Sequence, residues 1–307
     1  MALSKENLLR LTEHISYIPF STNIGFVKIG DDIYLVDTMN DELKMGELLA
    51  LVAGEFPGAR VRAVLQTHSH ADHCGGNAFL REETGCGIWA SRGEAAFMEY
   101  PAIETMLIWG GTPFRDLCSK FLLARPCGAT RILSDGELVE LGGGVSVRAI
   151  PLPGHYLDQI GFLFSDSDGK RVFFLGDAIS GRNVIKKYWI QYLLDEAKSK
   201  SSLMRLPEIK ADFYVPGHGK LVGDIEGLSE LNLLAMLETE EMILDVLKTP
   251  KTMEEILKEV TDRNGIRLGV FQYVLIGSTI RAYLTGLHEE RRIAFAIEKN
   301  EMRWRAV

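Results

Sequence analysis

Gln66-Thr67-His68-Ser69-His70-Ala71-Asp72-His73 is the stretch on which the reading of this 307-residue chain turns. The apolar run at 61–65 before it predicts a strand. His68 and His70, two residues apart at the end of that strand, therefore project their imidazoles from one face. Asp72 and His73 follow where Cys74-Gly75-Gly76 lets the chain bend sharply. Four ligand-type side chains thus fall within six residues, on backbone that a strand holds rigid. Imidazole and carboxylate are donors that divalent transition metals accept.

The same design recurs along the chain. His155 follows Pro153-Gly154 after an apolar run ending at Leu152, and Asp177 follows Gly176 after Val172-Phe173-Phe174-Leu175. His218 sits in Pro216-Gly217-His218-Gly219, after Phe213-Tyr214-Val215. Each is a donor just past the carboxyl end of an expected strand, with glycine freeing the backbone. Five of the seven histidines lie in these motifs, leaving His14 and His288 outside them. A closed structural zinc prefers cysteine-rich four-coordination, whereas this set holds too many donors for one ion.

His-x-His-x-Asp-His followed by Gly-His, Gly-Asp and Gly-His-Gly resembles the metallo-β-lactamase-fold hydrolases, in particular their dinuclear, glyoxalase-II-like branch. The motifs span 68–218, and the resemblance covers about 10–223. It implies an α/β fold, an αβ/βα sandwich of two mixed sheets flanked by helices, with metals in a cleft at one edge. Carried over residue by residue, His68, His70 and His155 would hold one metal. Asp72, His73 and His218 would hold the other, and Asp177 would bridge them. The implied cofactors are two divalent ions, zinc first, with iron or manganese as alternatives.

The implied activity is hydrolysis of a small ester, thioester or lactone by a metal-bridging hydroxide, with Asp72 also orienting the water or taking its proton. Lactam cleavage is disfavoured, because many zinc β-lactamases carry cysteine where this chain has Asp177. Tyr156 stands where the family often has threonine, and no clear match to glutathione-contacting residues is present. Tyr156, Lys187 and Tyr188, near motif loops, are the candidate substrate contacts. Two other enzyme readings stand beside this one: a phosphodiesterase or nuclease, and a mono-iron persulfide dioxygenase-like enzyme using His68, His155 and Asp177.

Composition sets the frame. With 46% hydrophobic and 25% charged residues, the chain is an ordinary globular one rather than a coiled coil or a disordered tail. Its length suggests roughly two domains. The division is placed at 1–223, the metal hydrolase, and 224–307, a small, mainly helical unit. In the latter, helices are expected over 225–247, from a capping box at Thr252-Met253-Glu254-Glu255, and over about 268–290. A terminal hairpin turning at Lys299-Asn300 gives a winged-helix-like arrangement. A helix is also expected over about 41–55 and another over about 188–204.

The net charge of −8 argues against bulk affinity for phosphate backbones. The tail has a local basic excess: Arg263, Arg267, Arg281, Arg291, Arg292, Lys299, Arg303 and Arg305 against Glu289, Glu290, Glu298 and Glu301. Packing or homodimerisation is favoured over nucleic-acid binding for it. No signal-like apolar segment follows the amino terminus, and no run is long enough to span a bilayer. The irregularly spaced Cys74, Cys86, Cys118 and Cys127 read as reduced thiols. A cytoplasmic enzyme with a small-molecule substrate and no membrane partner is expected.

Overall fold

The computed structural model describes residues 3–40 and 42–307. The expected helix start at Asp41 lies outside the described residues. One sheet has seven strands in chain order: β1 (Leu9–Arg10), β2 (Ile15–Ile18), β3 (Ile24–Ile29), β4 (Asp32–Val36), β5 (Arg60–Leu65), β6 (Gly87–Ala90) and β7 (Arg131–Ile132). Its first half is antiparallel, and β4 through β7 run parallel. The second sheet has five strands: β8 (Leu138–Gly142), β9 (Val145–Pro151), β10 (Ile160–Ser165), β11 (Arg171–Phe174) and β12 (Phe213–Val215). Only β11 and β12 are parallel there. The two mixed sheets face each other.

Both faces of the central strands are covered, which is why they read as unbroken apolar runs rather than alternating ones. In β4, Tyr34 and Val36 point into the core between the sheets, whereas Ile33 and Leu35 point out towards the helices. In β11, Val172 and Phe174 face the other sheet and Phe173 faces away. Phe162 and Phe164 of β10 are fully buried between the sheets, a burial that contributes ~1.5–3 kcal/mol for each such ring.

Helices cover the outer faces. Against the first sheet pack α1 (Glu42–Glu55), the short α2 (Ala71–Cys74), α3 (Asn77–Thr84) and α4 (Arg92–Glu99), followed by α5 (Ala102–Trp109). After α6 (Arg182–Ile185), the second sheet is covered by α7 (Glu196–Arg205), α8 (Glu226–Val246), α9 (Met253–Arg263) and α10 (Val270–Glu289). One cluster joins Leu152, Phe173 and Leu175 of the sandwich to Ile243, Ile280 and Tyr283 of α8 and α10. Beyond α10, β13 (Ile293–Glu298) and β14 (Glu301–Ala306) form a hairpin. Its turn residues Lys299 and Asn300 both have positive φ, as a two-residue hairpin turn demands. Thr252 and Glu255 close a reciprocal cap at the start of α9.

The helix expected over 188–204 is shorter: it begins at Glu196. Asp195 caps it, accepting from the Lys198 amide at 2.9 Å. The Leu194 and Asp195 amides both bond to the Gly154 carbonyl, so residues before the cap are tied to the His155 loop instead of coiling. Tertiary hydrogen bonds outweigh helix propensity here. Among the described residues, no helix is long and apolar enough to cross a membrane.

Candidate metal centre

The donors sit at the carboxyl ends of strands. His68 follows β5, His155 follows β9, Asp177 follows β11 and His218 follows β12. Since β11 and β12 are parallel neighbours, Asp177 and His218 emerge from the same edge of their sheet. Asp72 and His73 lie in α2, one turn beyond His70, which is its N-cap residue. Gly217 is required by space rather than by backbone freedom: a Cβ there would stand 2.1 Å from Asp177 Oδ1 and 2.7 Å from His73 Cε1. At Gly154, φ is +131° and a Cβ would meet the Ser199 amide at 2.3 Å.

All seven candidate donors come together. His68 Nε2 and His155 Nε2 lie 3.1 and 3.0 Å from His70 Nδ1. His218 Nε2 lies 3.2 Å from Asp72 Oδ2 and 3.4 Å from His73 Nε2. Asp177 stands between the two trios, with Oδ1 3.4 Å from His73 Nε2 and Oδ2 3.3 Å from His218 Nε2 and 3.7 Å from His155 Nε2. Two ligand atoms about 2.0–2.1 Å from one tetrahedral ion are about 3.3 Å apart. The observed spacings cluster around that value. The buried Asp177 Oδ1 has no hydrogen-bond partner, as expected of an oxygen meant for a cation. The residues fit the metals that the motifs imply.

Further groups aim the rings. Asp37 Oδ2 is 2.9 Å from His73 Nδ1, and His155 Nδ1 is 2.9 Å from the Tyr192 carbonyl. His218 Nδ1 is 2.5 Å from the Ser21 carbonyl. Such bonds fix which ring nitrogen is left to bind metal. Asp37 itself, with φ of +60°, accepts from the Thr67 amide, the Thr67 hydroxyl and Gln66 Nε2. Buried Glu94 accepts from the amide and hydroxyl of Ser69 and from the Asp158 amide, pinning the residue between His68 and His70. Burial nevertheless raises its carboxyl to about 7. Asn23 clamps the His218 loop through the Pro216 and Gly219 carbonyls, each at 2.8 Å. Sequence reasoning missed these partners. Asp37 carried a usable signal, because it too directly follows an apolar strand, β4.

The electrostatics divide the site. Burial and the neighbouring imidazoles hold His68 well below the ordinary histidine range, and burial with His155 brings His70 to about 3. Burial lowers His155 as well. These three rings therefore offer lone pairs at neutral pH. Burial also works against charge on His73 and His218, but the Asp177 and Asp72 carboxylates outweigh it, raising His73 to about 10 and His218 well above 6.5. Both carboxyls are held low although burial opposes it, Asp72 chiefly by His73 and His218, Asp177 by His218 and then His73. The second trio is thus where negative potential attracts positive charge.

The centre opens into a cavity of about 860 Å³. His155, Asp177 and His218 line one side, and Met236, Leu275 and Ile276 of α8 and α10 line another. Of the candidate substrate contacts, Lys187 and Tyr188 face this cavity. Tyr156 does not. It is fully buried, its ring 4.4 Å from that of His70 and 5.1 Å from that of Phe97, so it backs a candidate donor ring. His14 is bound to Asp166, and His288 stacks near Phe295 and Trp304 in the terminal hairpin. In the basic tail, Arg263, Arg292 and Arg303 each meet carboxylates. Cys74, Cys86 and Cys127 are buried, Cys118 is exposed, and all four are free thiols.

The family model described as the metallo-beta-lactamase superfamily matches residues 17–218. An atrochrysone carboxyl ACP thioesterase from Aspergillus fumigatus is 23% identical over 97% of this chain and 64% of its own length. A hydroxyacylglutathione hydrolase from Hyphomonas neptunium is 32% identical over 39% of this chain and 34% of its own. The chain thus spans between about a third and just under two thirds of the length of these two curated relatives. A metallo-beta-lactamase family protein from Thermus thermophilus superposes with a TM-score of 0.74 at 21% identity, covering 96% of this chain and 98% of that one. A beta-lactamase domain protein from Burkholderia ambifaria gives 0.73 at 19% identity, covering 98% and 95%.

Proposed function

The chain belongs to the metallo-beta-lactamase superfamily, and on that premise we propose a two-cation hydrolase that cleaves a small ester, thioester or lactone, with thioesters first. Asp177 carries the reading: one buried carboxylate reaches donors of both trios at the floor of a substrate-sized cavity. His68, His70 and His155 are assigned to one ion; Asp72, His73 and His218 to the other; Asp177 to both. Zinc is the first candidate, with iron or manganese behind it. When bound, two such ions supply Lewis acidity and make a water acidic enough to react near neutral pH.

The chain's own groups do the rest. Asp37, the Tyr192 carbonyl and the Ser21 carbonyl keep the donor rings in their tautomers. The Asp72 carboxylate, 3.2 Å from His218 Nε2, is assigned the proton given up by water. In a thioester the water oxygen bonds to the acyl carbon, the carbon–sulfur bond breaks, and sulfur receives that proton, leaving an acid and a thiol. Apolar side chains of α8 and α10 exclude solvent from the acyl end. The Aspergillus thioesterase aligns with nearly the whole chain, the roofing helices included, which supports a thioester over the other acyl compounds.

Residues 224–307 are assigned as a second unit that roofs the cavity. The ion pairs of Arg263, Arg292 and Arg303 leave less of the tail's charge for nucleic acid, so phosphodiester cleavage ranks lower. The free thiols favour the cytoplasm. Elemental analysis after purification without added metal, beside a screen of esters, thioesters, lactones and phosphodiesters, tests the proposal. Up to two transition-metal ions per chain with thioester turnover is the expected result. A single iron with no hydrolysis would replace it with the mono-iron oxygenase.

A further inference from the structure

We propose that the cavity grips the thiol half of its substrate by a phosphate, through Lys187 and Lys220, so that the substrate is a thioester of a phosphopantetheine-type thiol. The inference rests on the hydrolase reading and narrows it. Its starting point is charge. In a chain with 42 acidic and 34 basic residues, the one carboxylate lining the cavity among the described residues is the candidate ligand Asp177. Lys187 and Lys220 are the lining cations.

They come from the two loops that also carry Asp177 and His218. Residues 178–194 contain Arg182, Lys186 and Lys187 without any Asp or Glu, and residues 216–223 contain Lys220 alone. Elsewhere Arg60, Arg125, Lys200, Arg263, Arg292 and Arg303 each meet a carboxylate. Among the described residues, Lys187 and Lys220 meet none; Lys187 Nζ rests 4.7 Å from the centre of the Tyr188 ring. Unpaired ammonium groups beside a cavity favour an anion there. Lysine serves as a point charge for phosphate.

The rest of the cavity matches the other parts of such a molecule. The donors His155, Asp177 and His218 lie where a carbonyl would react, and Met236, Leu275, Ile276 and Phe271 supply apolar surface for the acyl chain. A volume of about 860 Å³ is within the range of sites that bury a ligand of this size. Cationic rim, donor floor and apolar roof then correspond to phosphate, thioester and acyl group.

The metal-loaded enzyme is tested with one acyl group carried on coenzyme A or on neutral N-acetylcysteamine. Binding of unreactive desulfo-coenzyme A is measured alongside by calorimetry. At low salt the coenzyme A thioester should have a kcat/KM about tenfold or more above the neutral one, expressed in KM and lost at high salt. Lys187→Glu with Lys220→Glu should shrink that ratio about tenfold and weaken desulfo-coenzyme A to the same degree. Phosphopantetheine should compete where pantetheine does not. Competition equal to that of desulfo-coenzyme A identifies a carrier-borne arm, and weaker competition identifies free coenzyme A; either supports the proposal.

Equal use of both thioesters overturns it and leaves the hydrolase reading intact. Stronger competition by S-methylglutathione than by phosphopantetheine also overturns it. If no thioester turns over, the choice of thioester fails, and if no ester or lactone does either, the hydrolase reading fails with it. The anion site then stands or falls on whether the double variant weakens desulfo-coenzyme A.

Discussion

On one wall of the cavity stand His155 and His218, with His73 buried beside His218, and the far ring nitrogens of His73, His155 and His218 are held by Asp37, Tyr192 and Ser21. On the other, Met236, Leu275 and Ile276 offer apolar surface from two long helices. The donor wall is specified atom by atom, and moving one ring nitrogen changes what it can bind. The helical wall needs only bulk and oiliness in roughly the right place. Chemistry is therefore concentrated in a few short motifs, while the shape of the substrate space is spread over side chains that sequence treats as ordinary core.

Removing residues 224–307 breaks the comparison most severely, because it uncovers Leu152, Phe173 and Leu175 on the second sheet. The expected outcome is an insoluble chain, measured by recovery and light scattering. A soluble fragment that still takes up metal would instead establish Gly223 as a true domain boundary. On the donor wall, Asp177→Ala should lose metal and cut turnover by more than the ~10–100-fold typical of an outer partner, with circular dichroism unchanged. Full activity with full metal content would remove Asp177 from its bridging place.

Asp37→Asn comes next. Asparagine tolerates the left-handed backbone at this position but lacks the charge facing His73. Metal affinity should fall by about 10–100-fold, read by competition with a chelator. A change below twofold would make Asp37 a fold residue only. Protons should compete with metal as well. His73 is drawn up to about 10 and His218 above its usual value, yet both must be neutral to ligate. Affinity should therefore weaken as pH falls from 9 to 6, by about tenfold per unit for each proton displaced. A flat profile would contradict the assignment of these two rings. On the helical wall, Met236→Trp should leave metal content alone and shift the preferred acyl length downward by a few-fold in kcat/KM. Loss of metal in that variant would mean the two walls are not independent.

The strands and the donors were readable because both depend on short-range pattern. Apolar runs such as 160–165 and 171–175 mark strands buried on both faces, and His68, Asp177 and His218 each stand just after one. Harder to read were groups whose role is set by a distant neighbour. Glu94 looks like any helical glutamate until Ser69 and Asp158 are seen to donate to it. Tyr156, adjacent to the candidate donor His155, looked like a wall residue but is packed behind His70. Residues 188–195 looked helical, but the Gly154 carbonyl holds their end in another path.

By itself the sequence determined where strands end and which candidate metal donors follow them, since strand period and ligand chemistry are local properties, and the resemblance those motifs carry implied the sandwich. The tertiary structure decided which ring nitrogens face one another, which residues hold them there, and which helices close the space above. Those outcomes depend on contacts between residues far apart in the chain, and a linear string does not record distances in space.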